Sequence, residues 1–313
     1  MEPILCVRSA ATSFTSVGQT LEFDFIDDCP AGSSILAYGV GLGGFTVGYE
    51  PANSWLGSLN VTLMPYLIGT KVYATASAVL TDYDRDLGRA VDGGPGNPKC
   101  AVQATALALI GTSVDAGAKV VLGNRHGVAN GGVLQGIPVA TNRSHWGYVA
   151  GFSFTAADPS GSYVSGLSYS VSSSLDGQGS MALTASASTP SADASGTLDL
   201  LALSLPDAVG DFAVQLLDLP FAPSQDQEQG MNCTFSVTFE PPAGKSVVNA
   251  GLLQAGVNIV YPPDEYFGLI QASFSDLVLA SPRLTGTYSL NMHDGATIGA
   301  TSSASVYAIA QFG

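Results

Sequence analysis

Three carboxylates stand at alternate positions near one loop of the chain. Asp82, Asp84 and Asp86 precede Gly88 in the run Asp-Tyr-Asp-Arg-Asp-Leu-Gly. Oxygen ligands gather round Ca²⁺ from such alternating acids before a glycine. The match to an EF-hand loop is incomplete, because the glycine comes one place late and Gly93 stands where the bidentate acid belongs. The sequence predicts a calcium site at the three aspartates, and a solvated turn is the alternative.

The histidines give little support for catalysis. His126, His145 and His293 are the only three, and no two are spaced as metal ligands on one element. His293 and Asp294 could do acid–base chemistry, but a turn at the end of a strand explains the pair equally well. The chain also lacks the Gly-x-Ser-x-Gly elbow of a serine hydrolase. We therefore expect no catalytic residues and no enzyme activity.

A glycine-rich run from Gly39 to Gly44 resembles a phosphate-binding loop in composition only. Such a loop must open a helix whose N-terminal amides meet the anion. This run lies between two predicted strands, and its outer glycines recur as Gly251 and Gly256. The recurrence predicts a repeated tight bend or β-bulge. No cofactor is expected.

Aromatic side chains provide the remaining candidate contacts, since they stack on sugar rings or anchor partner proteins. A Tyr-x-Pro-x-x-x-Trp/Phe pattern begins at Tyr49 and again at Tyr261, and a residue kept through an internal duplication favours packing over recognition. Trp146 and Tyr66 have no such counterparts. These two residues are the predicted binding candidates.

The candidates lie on a chain that repeats itself. Residues 23–49 recur as residues 235–261 with a constant offset and no gap. After a five-residue insertion, residues 65–70 match residues 282–287, and a shorter version of the motif begins at Phe152. Internal repeats of this kind are typical of serial modules.

The local pattern predicts strands throughout. Short alternating segments follow one another every eight to twelve residues with turn signals between them, as in a sandwich, and no segment has a sustained helical period. We predict an all-β fold of tandem antiparallel β-sandwich modules, Ig-like or jelly-roll, with little or no helix. The first module spans residues 1–145 with an elaborating insertion near 82–145. The central one spans 146–228, and the last, 229–313, repeats the motif of residues 23–80.

Composition narrows the possible partners. The 313 residues include 25 acidic and 10 basic ones, for a net charge of −15. Few cations argue against direct nucleic-acid binding, which depends on phosphate neutralisation. No apolar run approaches the roughly 18 to 20 residues that span a bilayer, so no membrane contact is expected. Four cysteines without Cys-x-x-Cys spacing indicate free thiols, and the start of the chain shows no secretion signal.

One part of the chain resembles a known class of proteins. The runs Phe-Ser-Phe-Thr from 152, Pro-Ser-Gly-Ser-Tyr-Val from 159, Ser-Tyr-Ser-Val-Ser-Ser-Ser from 168 and Ser-Met-Ala-Leu-Thr-Ala from 180 resemble hairpins of tail-fibre heads and C1q-like trimeric domains. In style they are similar to bacteriophage virion proteins built from Ig-like or jelly-roll sandwiches. The resemblance covers about 35 residues of the central module.

The resemblance implies a non-enzymatic virion structural component: a capsid, decoration or fibre protein located in the virion. It would act as a homo-oligomer, through contacts with copies of itself and other virion proteins. The alternative is a carbohydrate-binding adhesin or lectin. In that case Trp146 and Tyr66 would contact a host-surface glycan, with calcium held by Asp82, Asp84 and Asp86.

Overall fold

The computed structural model describes thirteen stretches of the chain, and the account below concerns these. They are residues 3–14, 18–48, 56–82, 100–113, 120–139, 144–156, 166–175, 180–188, 194–205, 211–221, 231–260, 269–293 and 302–313.

The described residues form eighteen strands and one short 3₁₀ turn. The strands are β1 (Ile4–Phe14), β2 (Gln19–Asp24), β3 (Ser34–Gly48), β4 (Leu56–Ile68), β5 (Lys71–Asp82), β6 (Cys100–Gly111), β7 (Val121–Ala129), β8 (Val133–Pro138), β9 (His145–Ala156), β10 (Gly166–Leu175), β11 (Ser180–Ser188), β12 (Ala194–Ser204), β13 (Phe212–Pro220), β14 (Met231–Thr238), β15 (Val247–Val260), β16 (Leu269–Ala280), β17 (Arg283–His293) and β18 (Ser303–Phe312). The 3₁₀ turn is η1 (Ile26–Asp28). No helix in the described stretches has the length and apolarity to cross a bilayer.

The alternation of side chains explains the strands. In β2, Leu21 and Phe23 are buried while Glu22 and Asp24 face solvent, which is the period-two pattern of a strand with one wet face. The end of β6 is apolar without alternation because both of its faces are buried. The prediction of an all-β fold of antiparallel sheets with little helix is confirmed.

The strands pair into three six-stranded antiparallel sheets. Their orders are β1-β6-β3-β16-β17-β14, β7-β12-β9-β4-β5-β2 and β13-β18-β15-β10-β11-β8. One rule generates all three orders when the strands are divided into a first group (β1–β6), a second group (β7–β12) and a third group (β13–β18). Each sheet joins the first, sixth and third strands of one group to the fourth, fifth and second strands of another.

The joining is cyclic, so the three groups close into a ring. The first group is joined to the third by β3 and β16, the third to the second by β15 and β10, and the second to the first by β9 and β4. The three joining strands β3, β9 and β15 also pack against one another. We call the line along which they meet the axis. The chain therefore has a pseudo-threefold arrangement within a single polypeptide.

Within each group the two half-sheets lie face to face. Strand β1 packs on β2, β9 on β10, and β13 on β14. In each group the first strand pairs with the sixth, and the second strand pairs with the fifth. This is the nested order of a jelly roll, built here from six strands instead of eight. The sheets cross the module boundaries predicted from sequence. The boundary at 145/146 falls inside β9, and the one at 228/229 falls between β13 and β14, outside the described residues.

Strand pairing can be compared with the predicted repeat at its offset of 212 residues. Ladder shifts recur at Leu42/Gly44 in β3 and Gln254/Gly256 in β15, an offset of 212 residues. The predicted bulge is confirmed at Gly44 and Gly256, whereas the other recurring pair, Gly39 and Gly251, lies in regular ladder pairing. The ends of β4 and β16 match with the same offset, because Ile68 pairs with Lys71 as Ala280 pairs with Arg283. The five-residue insertion inferred from sequence is therefore wrong.

The middle copy is also in a different register from the one predicted. The sequence aligned Phe152 with Phe235, which lies in β14, the second strand of its group. In the structure Phe152 lies in β9, a third strand, and pairs across a joint as Phe45 does. A short strand alignment without gaps does not distinguish such neighbours, because all strands share the same period.

Candidate functional site

The predicted calcium site lies largely outside the described residues. Asp82 is the last residue of β5, and nothing is described of its side chain or of Asp84 and Asp86. Elsewhere, no group of three or more His, Cys, Asp or Glu side chains in the described stretches is placed to hold a metal ion.

One histidine contacts a carboxylate. His126 Nδ1 lies 3.3 Å from Asp199 Oδ2, and the backbone N–H of Gly127 donates to Asp199 Oδ1 at 2.9 Å. The ladder between β7 and β12 shifts at this point, so the two contacts hold a bulge in β7. Gln135, Gly136, Met181 and Ala182 are the described lining residues of an open depression, and none of these four is titratable. His293 ends β17, but its side chain and Asp294 are not described.

Trp146 and Tyr66 lie in different environments. Trp146 is half-buried, with its ring edge-on to Phe212 at 5.8 Å between centroids. It packs against the cluster of buried side chains around the axis. Tyr66 is 39% exposed on the outer face of β4 and stacks on Tyr73 at 5.2 Å with an interplanar angle of 13°. The structure does not bring the two candidates into one site.

The three joints are built alike, around a glycine. A β carbon on Gly44 would lie 2.7 Å from Ser273 Cα, one on Gly151 would lie 2.6 Å from the Val61 carbonyl oxygen, and one on Gly256 would lie 2.9 Å from a neighbouring serine. Each glycine follows a ladder shift in its own strand. The joints therefore need residues without a side chain for the strands to approach.

Two side-chain amides extend the joints by imitating a strand. Gln103 donates from Nε2 to the Phe274 carbonyl at 2.6 Å and accepts from the Phe274 N–H at 2.9 Å. Asn124 makes the same pair of bonds with Val40, at 2.7 and 3.0 Å. Each pair links two strand groups. These polar side chains satisfy backbone groups that the diverging strands leave unpaired.

The axis is filled by unequal residues at equivalent positions. Gly41, Tyr148 and Leu253 each lie three residues before the glycine that follows the ladder shift of their strand. A β carbon on Gly41 would lie 2.4 Å from Leu253 Cδ2, so the glycine leaves room for its larger counterpart. Tyr148 is fully buried, and its hydroxyl has no hydrogen-bond partner among the described residues. Burial raises the pKa of Tyr148 well above its ordinary value.

A buried glutamine ties the third group to the second. Tyr169 OH donates to Gln254 Oε1 at 2.6 Å, while Gln254 Nε2 donates to Tyr288 OH at 2.7 Å and to the Ala272 carbonyl at 3.2 Å. Both phenols are fully buried, and burial raises the pKa of each. All polar atoms of this cluster are partnered, as a buried network requires.

A second glutamine, in the last strand, contacts residues of the first strand. Gln311 donates to Cys6 Sγ at 3.5 Å and to Asp28 Oδ1 at 3.3 Å, and it accepts from the Val7 N–H at 3.1 Å. Arg8 forms an ion pair with Asp28. Burial, with the nearby Asp28 carboxylate, raises the pKa of the Cys6 thiol. Cys6 is therefore a protonated structural thiol rather than a nucleophile.

Sequence reasoning missed these polar residues although a signal was present. Gln254 stands where the first copy of the repeat has Leu42, at the constant offset of 212. A polar residue at an apolar position of a repeat indicates a buried hydrogen-bonded group.

Comparison with known proteins adds no relative in sequence, since neither a protein family nor a curated protein matches the chain. Two viral structures align along almost the whole chain. For the atomic structure of Sulfolobus Turreted Icosahedral Virus, identity is 11%, the alignment covers 99% of this chain and 90% of that chain, and the TM-score is 0.16. For the mavirus penton protein, identity is 9%, both chains are fully covered, and the TM-score is 0.15. Likenesses with such TM-scores carry no argument about this chain's fold or function.

Proposed function

We propose that this chain is a non-enzymatic structural component of a virion, a capsid, decoration or fibre protein that works through contacts with copies of itself and with other virion proteins. The observation that carries the proposal is the ring of three shared sheets. A ring in which every sheet belongs to two strand groups cannot lose one group without exposing the strand edges of another. Such a body resists local opening, as a shell or fibre component must.

The use of polar side chains supports the same proposal. Gln103, Asn124, Asp199, Gln254 and Gln311 each hold backbone or side-chain groups of the fold itself. An active site instead collects titratable groups around a cleft that a substrate can enter. These five side chains therefore stabilise the fold, and we propose that the chain has no catalytic function.

The ion pairs support the part of the proposal that excludes direct nucleic-acid contact. Arg8 forms an ion pair with Asp28, and Lys71 forms ion pairs with Glu22 and Asp24. Lys245 forms an ion pair with Asp211. Cations that are already neutralised attract phosphates weakly. On a chain with a net charge of −15, these pairs favour protein partners.

The proposal is tested by the composition of purified particles. We expect quantitative mass spectrometry of gradient-purified, salt-washed virions to find the chain in a fixed copy number relative to the main shell protein. A chain that is produced in infected cells but washes away from the particles, or varies in amount between preparations, contradicts the proposal.

A further inference from the structure

The outer face of the β4–β5 hairpin carries a row of exposed large apolar side chains. Met64, Tyr66 and Ile68 follow one another on this face of β4, with exposures of 52%, 39% and 61%. Tyr73 of β5 stacks on Tyr66, and Ile26 of the adjoining turn is 59% exposed. We call these five residues the hairpin face. Contiguous exposed apolar side chains of this kind mark interaction sites.

The pseudo-threefold arrangement supplies two internal controls for the hairpin face. In the third group, the positions of Tyr66 and Ile68 hold Val278 and Ala280. In the second group, Tyr169 holds the place of Val61 at the joint, so exposed serines 172 and 174 of β10 occupy the positions of Met64 and Tyr66. All of these positions are exposed in the same half-sheet of the same fold. The serines of the second group show that the fold does not require apolar residues there. The third group has smaller apolar residues, with Val278 54% exposed, so the first group is distinguished by the size of its aromatic and aliphatic side chains.

The hairpin face is suited to face-on packing and not to strand addition. The ladder between β4 and β9 ends at Val61, although β4 continues to Ile68. The described part of β4 beyond Val61 thus has a strand partner on one side only. Pro65 lies in the middle of this free edge and has no N–H to offer an added strand. A partner must bind through the side chains.

The charges beside the hairpin face point to a second copy of this chain as the partner. Lys71 pairs with Asp24 across the β5–β2 ladder and bonds Glu22, so a cation and two carboxylates border the apolar residues. A surface that carries both signs is complementary to itself across a twofold axis.

We propose that the hairpin face is the contact by which one copy of this chain packs face to face on a second copy. The inference rests on the proposed function, of which it names one contact surface. Five apolar residues are few beside the roughly 20 to 30 residues a side of a stable interface. The isolated contact is therefore weak, and it gains strength when a particle presents many copies at once.

Sedimentation equilibrium over a range of concentrations tests the proposal. We expect the weight-average mass of the wild-type chain to rise with concentration. In the double variant Tyr66→Ser with Ile68→Ser, we expect association at least about tenfold weaker, because the central aromatic and aliphatic contacts are lost. The matched control Val278→Ser changes the equivalent residue of the third group and should associate as the wild type does. Met64→Ser, which keeps the tyrosine stack, serves as a second variant should the double variant lose its folded circular dichroism spectrum.

Three results overturn the proposal. These are a wild-type chain that stays monomeric at the highest soluble concentration, face variants that associate like the wild type, and a hairpin face that binds a different protein while copies do not self-associate. The test is separate from that of the proposed function. If the chain is found in particles but its face variants associate normally, only the proposed contact is refuted. If the chain is absent from particles but self-associates through the hairpin face, only the virion role is refuted.

Discussion

Gly151 lies so close to Val61 that a β carbon on it would sit 2.6 Å from the Val61 carbonyl oxygen. The two residues belong to different strand groups and meet where β9 and β4 join. Gly44 and Gly256 hold the same place at the other two joints. The ring thus closes through three backbone contacts that only glycine permits.

Replacing Gly151 by alanine should destabilise the chain by about 1–3 kcal/mol, because the new methyl group meets rigid backbone on a neighbouring strand. Urea unfolding followed by circular dichroism measures the change. Gly123→Ala is the matched control, since the nearest atom to its β carbon, 3.5 Å away, belongs to a flexible arginine. Equal effects of the two substitutions would show that the joint is not tightly packed.

At the axis, Gly41→Ala should cost about 1–3 kcal/mol because its methyl group overlaps Leu253. The same substitution in a Leu253→Ala background should cost much less, since the overlapping atoms are gone. A double-mutant cycle of unfolding free energies measures this coupling. Additive effects would mean that the two residues do not meet at the axis.

Gln254→Leu should destabilise the chain by about 1–3 kcal/mol for each phenol that it leaves without a partner. The first group tolerates leucine at the equivalent position, so size is not the obstacle. Adding Tyr169→Phe and Tyr288→Phe removes the unsatisfied hydroxyls and should restore most of the loss. Thermal unfolding of the single and triple variants compares them, and a triple variant weaker than the single one contradicts the network.

Stability should fall at alkaline pH. Burial raises the folded-state pKa of Tyr148, Tyr169 and Tyr288 above the ordinary tyrosine value of about 10. Because the folded-state pKa values are raised, the contribution of these tyrosines to the free energy of unfolding is complete below a pH of about 10. It is lost as the pH rises toward the folded-state pKa values. Absorbance at the phenolate band should show buried tyrosines ionising together with unfolding. Their ionisation at pH of about 10 in the folded chain would contradict this.

Strands and bulges could be predicted from the sequence because each depends on the types of neighbouring residues. The alternation of Leu21, Glu22, Phe23 and Asp24 predicts the strand β2 and its wet face. The recurrence of Gly44 as Gly256 predicts a repeated bulge, because glycine at a bulge has a backbone reason.

The exchange of half-sheets between groups was not accessible in the same way. Strands β3 and β16 pair from Phe45 with Ala272 to Gly48 with Leu269, more than 200 residues apart. Backbone hydrogen bonds form this ladder, and they carry no residue code that names a partner strand. The same limit applies to Trp146, whose packing on Phe212 depends on how two distant strands meet.

The central claim is that three strand groups share their sheets and therefore form one cooperative structure. Differential scanning calorimetry of the intact chain tests it most directly. The shared sheets predict one transition whose calorimetric and van't Hoff enthalpies agree. Two or three separate transitions, with modules melting independently along the chain, would contradict the claim.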